Sequence, residues 1–237
     1  MAIKLISKTA EEVKIVTSMN ISLANAIRRS VGKIPVMAIS ETDIYKNDSA
    51  LYDEVISHRL GLIPLKNQKL KPGQTVELKL SVKSKDGERI VLSGELGSEV
   101  VYPDMPIISI ENGQEIKLVA RANVGTGKEH SRYNPGILYY SHLPKIKISG
   151  EGEKQAELAE LFPEVFEMMG EKLKVKDETA CRLDSEDMKD YPGVTIDITE
   201  DLVLSIESWG QMEANNIFIE ACKALKSELS IVSKAVK

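Results

Sequence analysis

The stretch that decides the fold is NISLANAIRRSVGKIPVMAI, residues 20–39. It predicts a short helix followed by an extended apolar run. Asn20 can cap the amino end of the helix, because a side-chain oxygen at this position accepts a hydrogen bond from the first turn. Gly32 can adopt the left-handed conformation that often ends a helix, and Pro35 prevents the helix from continuing.

This predicted helix is amphipathic. Four apolar residues share one of its faces, namely Leu23, Ala24, Ile27 and Val31. Arg28 and Arg29 lie off that face, near the carboxyl end of the helix. Two interpretations of the arginines stay open: they are solvated residues at a helix end, or they are bidentate donors to a partner's carboxylate or backbone.

A second amphipathic helix is predicted from about residue 211 to the end of the sequence. Its apolar residues recur every three or four positions, at Ala214, Phe218, Ala221, Leu225, Leu229, Val232 and Val236, and Ile217, Ala224 and Ile231 widen the stripe. At 1.5 Å per residue such a helix is roughly 36 Å long, about the width of a small domain. It fits either a core helix on the protein's own sheet or a helix shared with a partner, and the sequence leaves both open.

Strand patterns dominate the segment between the two helices. A short helix is predicted over residues 51–60, with His58 and Arg59 near its last turn, where positive charge suits the helix dipole. The alternation in TVELKLSVK, residues 75–83, predicts a strand with one buried face. KDG at residues 85–87 predicts a hairpin turn.

Residues 150–193 differ in composition from the rest of the chain. Residues 150–192 hold 13 acidic and 6 basic side chains, a net charge of 6 − 13 = −7, against −5 for the whole chain. Residues 156–169 have a helical tendency, and strand patterns return in VTIDI and LVLSIES after residue 193. We interpret this segment as an inserted module.

Composition excludes several classes of protein. With 237 residues, of which 42% are hydrophobic, the chain can form one large or two smaller domains with a core. Its net charge of −5 argues against a large basic face for nucleic acid. The longest apolar runs, such as residues 34–39, are far shorter than the roughly 18 residues of a membrane helix, and no secretion signal is evident, so we expect a cytoplasmic protein. Two cysteines, Cys181 and Cys222, cannot build a disulfide framework or a four-cysteine metal site.

Candidate catalytic motifs fail on their own spacing. NVGTGKEH, residues 123–130, approaches a phosphate-binding loop but has Ala122 where a glycine and Glu129 where a hydroxyl residue is needed. The histidines His58, His130 and His142 form no HExxH or similar pair. Catalytic groups that are far apart in sequence can still converge in space. A stand-alone enzyme with a site near His130 and His142 therefore remains the alternative hypothesis.

Three motifs carry a resemblance to a known family. NAIRRSVGKIPVMAI at 25–39 resembles the first helix and following strand of the RNA polymerase alpha-type subunits, and DEVISHRLGLIPL at 53–65 resembles their next hallmark. The run from 101 to 135, with Pro-Asp, Gly-Gln-Glu and Gly-x-Gly-Lys-x-His, is similar to archaeal and eukaryotic members rather than bacterial ones. With LSIESWGQM and the closing helix, the resemblance covers most of the chain outside 150–193 and is greatest to the archaeal branch of this alpha-type family.

The resemblance implies an α+β fold with a discontinuous dimerisation domain. That domain would comprise residues 1–40 and 194–237, with a mixed sheet and the two amphipathic helices. Residues 41–149 would form an inserted β-rich domain, and residues 150–193 an acidic, degenerate ferredoxin-like insertion. Some archaeal relatives hold an iron–sulfur cluster in that insertion, but Cys181 is its single cysteine here, so we expect no cluster and no other cofactor or metal.

For function, the resemblance implies a non-catalytic assembly subunit of a DNA-directed RNA polymerase. Such a chain heterodimerises with the smaller subunit L, joins the small subunits N and P, and docks the large catalytic subunits. DNA would be contacted only indirectly, through the complex, and no membrane is involved. No catalytic residue is expected in the chain itself.

The family pattern also assigns residues to partners. Those expected to face subunit L are Leu23, Ala24, Ile27, Val31, Ile217, Phe218, Ala221, Leu225, Leu229 and Val232. Those expected to face a large subunit are Arg28, Arg29, His58 and Arg59.

Overall fold

A computed structural model describes residues 2–68, 70 and 73–236 of the protein. The described helices are α1 (Ile21–Ser30), α2 (Asp53–Gly61), α3 (Ala156–Leu161) and α4 (Ala214–Ala235). The strands are β1 (Ile3–Lys8), β2 (Glu12–Thr17), β3 (Val36–Asn47), β4 (Val76–Lys83), β5 (Arg89–Leu92), β6 (Pro106–Ile110), β7 (Glu115–Gly125), β8 (Gly136–Ile148), β9 (Phe166–Met169), β10 (Lys172–Val175) and β11 (Val194–Ser208).

The strands form separate sheets. The largest has the order β1-β2-β11-β8, so it joins strands from both ends of the sequence. A second sheet has the order β3-β7-β4, with antiparallel pairing, and the pairs β5-β6 and β9-β10 are also antiparallel. The mixture of helices and sheets confirms the α+β prediction at this level.

The described chain divides into two compact units. The first unit contains the residues up to Ser7, Lys14–Ala24 and Tyr139–Ser205, and the second contains Lys8–Val13, Asn25–Leu138 and the residues from Ile206 onward. Both units therefore combine segments that are far apart in sequence. The predicted domain boundaries at residues 40, 149 and 193 are not tested by this division and stay a prediction.

The core of the second unit lies on the sheet β3-β7-β4. In β4 the residues Leu78, Leu80 and Val82 are buried and alternate with exposed polar residues, as the sequence predicted. From α2, Ile56 and Leu60 join the same apolar cluster. Because one face of a strand and one stripe of a helix must be covered, α2 packs on this sheet and its opposite side faces outward.

The first unit has an apolar core around residues 150–193, which are called here the acidic segment. Leu158 of α3, Phe166 of β9 and Leu173 of β10 are buried together with Ile196 of β11. Gly170, at φ 67°, occupies the two-residue loop between β9 and β10, where a positive φ suits a tight hairpin. A six-residue helix and a hairpin do not amount to the βαββαβ unit of a ferredoxin-like fold, so that part of the prediction is not confirmed.

Local predictions around α1 are partly correct. The Oδ1 atom of Asn20 accepts a hydrogen bond from the Leu23 amide at 2.9 Å, which confirms the predicted cap. The prediction that Gly32 is left-handed is wrong, because α1 tightens into a 3-10 turn at Val31–Lys33. The amide of Ile34 then donates to the Val31 carbonyl at 3.2 Å and closes that turn.

Two further expectations need correction. The chain bends at KDG, residues 85–87, with Gly87 at φ 75°. It is not a hairpin loop, because β4 pairs with β7 and β5 pairs with β6. The helical tendency of residues 156–169 is realised only over Ala156–Leu161, since Phe166–Met169 forms β9. Among the described residues, no helix is long and apolar enough to cross a membrane.

Candidate protein-interaction surfaces

The first half of α4 is a core helix of the second unit. Ala214, Ile217 and Ala221 are fully buried, and Ala224 is partly buried. The next position on the same side, Glu228, carries a carboxylate, which forms ion pairs with Lys33 and Lys128. We call this side of the helix the core line; its residues are Ala214, Ile217, Ala221, Ala224 and Glu228.

A second apolar line runs beside the core line. It consists of Phe218, Cys222, Leu225, Leu229, Val232 and Val236 and is called here the outer line. Its first four members each follow a core-line residue by one position, which is about 100° around the helix. The alternating spacing of four and three residues keeps these side chains on one side of the helix, as it does for the core line.

Exposure rises along the outer line. Phe218, Cys222 and Leu225 are partly buried, whereas Leu229, Val232 and Val236 have 61%, 60% and 83% of their surface exposed. The single stripe predicted from the sequence is therefore two lines with different environments. The predicted partner residues Ile217 and Ala221 belong to the protein's own core, while Leu229 and Val232 are available to a partner.

The apolar face of α1 is mostly covered by the protein itself. Ala24, Ile27 and Val31 have at most 5% of their surface exposed, so the expectation that they face a partner does not fit their burial. Leu23, with 39% exposed, is the member of that set that a partner can reach. The periodicity found the face correctly but could not tell what covers it.

Arg28 and Arg29 are exposed at the end of α1, as predicted. With Lys128 they line a shallow groove of about 300 Å³. The Nε atom of Arg28 donates to the Oδ1 atom of Asn25 at 3.2 Å, which holds its guanidinium near the helix surface. The groove therefore offers three cations to a partner, and their role in binding stays a prediction.

The stretch that resembles a phosphate-binding loop is built for internal packing. A Cβ atom on Gly125 would lie 2.7 Å from the ring of Tyr133, and one on Gly127 would collide with the Asn134 side chain. The 3-10 turn Ser131–Tyr133 follows, where a phosphate site needs a helix. The glycines are therefore explained by close contacts within the loop.

Arg132 ties this loop to β3. Its Nη1 atom donates to the carbonyl of Ile39 at 2.7 Å. Its Nε and backbone N–H both donate to the Nδ1 atom of His130 at 3.2 Å, so that ring nitrogen acts as an acceptor. His142 belongs to the other unit, where its Nδ1 atom lies 3.0 Å from the Thr199 carbonyl. Both histidines thus have structural contacts, which does not favour the hypothesis of an enzymatic site.

His58 and Arg59 lie on the exposed side of α2. The Nη2 atom of Arg59 donates to the Pro106 carbonyl at 2.9 Å, so this guanidinium is already attached to β6. Contact of the two residues with a large subunit stays a prediction.

An apolar patch on α2 was missed by the sequence analysis. Tyr52, Val55 and Leu62 are 79%, 41% and 56% exposed, and their spacing places them with Arg59 on one side of the helix. Leu62 also lines a cavity of about 370 Å³ together with Trp209, which is 47% exposed. In the sequence, the spacing of three, four and three residues could have indicated that these side chains share one side of the helix.

The residues of the acidic segment do not fit an iron–sulfur cluster. Such clusters are held by four thiolates, and Cys181 is the one cysteine of that segment. Burial raises the pKa of the Cys181 thiol, and its Sγ atom lies 3.9 Å from the Leu183 carbonyl. Among the described residues, no group of three or more His, Cys, Asp or Glu side chains could hold a metal ion.

Comparison with known proteins agrees with the resemblance seen in the motifs. Residues 15–229 match the family model described as the RNA polymerase Rpb3/Rpb11 dimerisation domain. The chain is similar to proteins named DNA-directed RNA polymerase subunit Rpo3. The one from Pyrococcus horikoshii is 37% identical over 175 residues, and the match spans 66% of each chain.

Two other relatives with the same name match over more of their length. The protein from Archaeoglobus fulgidus is 28% identical over 91% of this chain and 90% of its own. The protein from Methanothermobacter thermautotrophicus is 29% identical over 96% of both chains. The family match runs from residue 15 to residue 229 and so takes in α1 and most of α4; the chain belongs to the RNA polymerase Rpb3/Rpb11 dimerisation-domain family.

Proposed function

We propose that this protein is a non-catalytic assembly subunit of a DNA-directed RNA polymerase, which heterodimerises with the small subunit L. The observation that carries the proposal is the outer line of α4. Its apolar residues share one side of the helix, and those in its C-terminal half are exposed in the isolated chain. The chain belongs to a dimerisation-domain family, which supports the interpretation of that exposed line as a partner surface.

The size of the outer line indicates how much it contributes to pairing. Complete burial of one Leu or Val is worth about 1.5–3 kcal/mol, so its three most exposed residues could supply on the order of 5 kcal/mol. Association itself costs about 4–15 kcal/mol in lost freedom. The outer line is therefore not sufficient by itself, and Leu23 of α1 is our candidate for a second contributor because it too is exposed.

The groove at the end of α1 is our candidate contact for a large subunit. Arg28, Arg29 and Lys128 face it, and arginine pairs well with carboxylates in a bidentate geometry. His58 and Arg59 remain candidates for the same partner. In this proposal the small subunits N and P join the heterodimer, the catalytic metal site lies on a large subunit, and the chain contacts DNA only through the complex, in the cytoplasm.

The inserted parts complete the proposal. Residues 41–149 would act as a β-rich inserted domain, and residues 150–193 as an acidic insertion without a cluster. The supporting observation is that Leu158, Phe166 and Leu173 of residues 150–193 are buried in one apolar cluster with Ile146, Val194 and Ile196. Apolar burial, rather than a metal, would hold this segment in place.

Co-expression with subunit L from the same genome tests the proposal. A stable one-to-one heterodimer on size-exclusion chromatography, which then recruits a large subunit, would support it. If the two chains elute separately at micromolar concentration, the assembly function is wrong. Catalytic turnover by the isolated chain would favour the enzyme hypothesis instead.

A further inference from the structure

We infer that Glu228 acts as an electrostatic clamp, which fixes the second half of α4 against the second unit and so presents the outer line to a partner. The part of this inference that concerns the partner rests on the proposed function. The clamp itself rests on the contacts of Glu228.

Two cations from different segments converge on this carboxylate. Lys33 lies in the 3-10 turn after α1, and its Nζ atom pairs with Oε2 of Glu228. Lys128 lies in the loop after β7, and its Nζ atom is 3.7 Å from Oε1. Because each carboxylate oxygen has its own cation, two different segments of the chain hold the same residue of α4.

The two pairs differ in exposure. The Lys33 side chain is 23% exposed and that of Lys128 is 66% exposed, so the Lys33 pair is less screened by solvent. The hydrogen bond from Lys33 is also the main reason why the pKa of the Glu228 carboxyl is lowered. The carboxylate is therefore charged at neutral pH, and both ion pairs can form there.

The position of Glu228 on α4 determines which part of the helix depends on these ion pairs. The core line is apolar as far as Ala224, and Glu228 is the next residue on that side. Every helical residue after it, from 229 to 235, is exposed. Glu228 is thus the last residue of α4 that is not exposed, and the exposed turns beyond it contain Leu229 and Val232.

Loss of the clamp would move the last attachment back by about one turn. Short helical segments without tertiary contacts are marginally stable in water, so the free end would fray. A partner would then have to order the fraying turns before it could bind, which weakens binding without removing any contact that it makes.

The test uses the full chain with Glu228→Gln, Glu228→Lys and the control Glu220→Gln. Glu220 is a matched control because its side chain is also 42% exposed, but its pair with Lys223, at 2.8 Å, lies within α4. We would measure the Kd for purified subunit L by calorimetric titration, and amide hydrogen exchange in residues 225–235.

For Glu228→Gln we expect binding about 3- to 10-fold weaker and faster exchange, as two partly exposed ion pairs allow. Glu228→Lys should be weaker still, because it places a third cation beside Lys33 and Lys128. Glu220→Gln should stay within about 2-fold of the parent. Combining Glu228→Lys with Lys33→Glu should recover part of the loss, which a nonspecific folding defect would not do.

Two results would overturn the inference. Unchanged exchange in both Glu228 variants would show that there is no clamp, and faster exchange with unchanged Kd would show that the clamp does not serve binding. If the parent chain itself fails to bind subunit L, the proposed function is wrong, and the exchange data alone then decide whether α4 is clamped.

Discussion

Replacing Leu229 with Asp should abolish pairing with subunit L and leave the fold intact. Leu229 lies on the outer line with 61% of its surface exposed in the isolated chain, so a carboxylate there stays solvated until a partner arrives. This separates it from Ile217, which is fully buried on the core line. Ile217→Asp is expected to unfold the second unit.

The magnitude follows from the exposed fraction. Full burial of a leucine contributes about 1.5–3 kcal/mol, so covering the exposed part of Leu229 contributes about 1–2 kcal/mol. Because 1.4 kcal/mol corresponds to a factor of ten in Kd, Leu229→Ala should weaken binding by about 5- to 30-fold. Leu229→Asp adds the cost of burying an unpaired carboxylate, several kcal/mol, and should weaken binding by at least on the order of 100-fold.

The assay is titration of each variant with purified subunit L, alongside thermal unfolding followed by circular dichroism. The control is Ser227→Asp, which adds the same charge to an exposed residue about 200° away around the helix. It should bind within about 2-fold of the parent, since surface substitutions change stability by about 0.5 kcal/mol or less. If Leu229→Asp is folded and binds as tightly as the parent, the outer line is not the interface.

Three further predictions can be checked with the same protein. The double variant Arg28→Ala/Arg29→Ala should pair normally with subunit L but fail to recruit a large subunit in a pull-down, because both side chains are exposed and line the groove. Gly127→Ala should cost about 1–3 kcal/mol of unfolding free energy in denaturant titration, since its Cβ would collide with the Asn134 side chain. The control Gly150→Ala, with no atom within 4 Å of its added Cβ, should be nearly neutral. Anaerobically purified protein should contain no stoichiometric iron or sulfide, because Cys181 cannot replace four ligands.

The elements predicted well are those fixed by local signals. Asn20 caps α1 as expected, and the alternation in β4 and the three-to-four spacing in α4 gave the correct element types. In each case a short stretch contains both the periodicity and its boundary. Burial on one face is enough to realise such a pattern whatever the rest of the chain does.

The elements predicted badly depend on distant residues. Apart from Pro163, residues 162–169 have apolar or acidic side chains that suit a helix, but Phe166 is buried in one apolar cluster with Ile196 of β11. Packing there favours the β9-β10 hairpin over local helix propensity. Two local signs pointed to this outcome: Pro163, because the residue before a proline disfavours the helical conformation, and Gly170, which starts the hairpin loop.

The partner surface on α4 also depends on residues that are distant in sequence, so the local pattern alone cannot identify it. A stripe of apolar residues at intervals of three and four has the same sequence whether the protein's own sheet or a partner covers it, since both surfaces require the same side chains. The sequence therefore left both interpretations of α4 open. Burial shows that its first half belongs to the protein's own core, and the partner interpretation of its exposed second half stays a prediction.

The amino-acid sequence does contain one residue that marks the end of the buried part of α4. Glu228 interrupts the apolar series at the position four residues after Ala224, and a carboxylate at the edge of a core is costly unless a cation lies beside it. Lys33 and Lys128, in the two glycine-containing segments that flank the arginine groove, supply that charge. A charged residue within an otherwise apolar helix stripe thus marks where the protein's own core ends, and the apolar residues beyond it are the ones to test first for a partner.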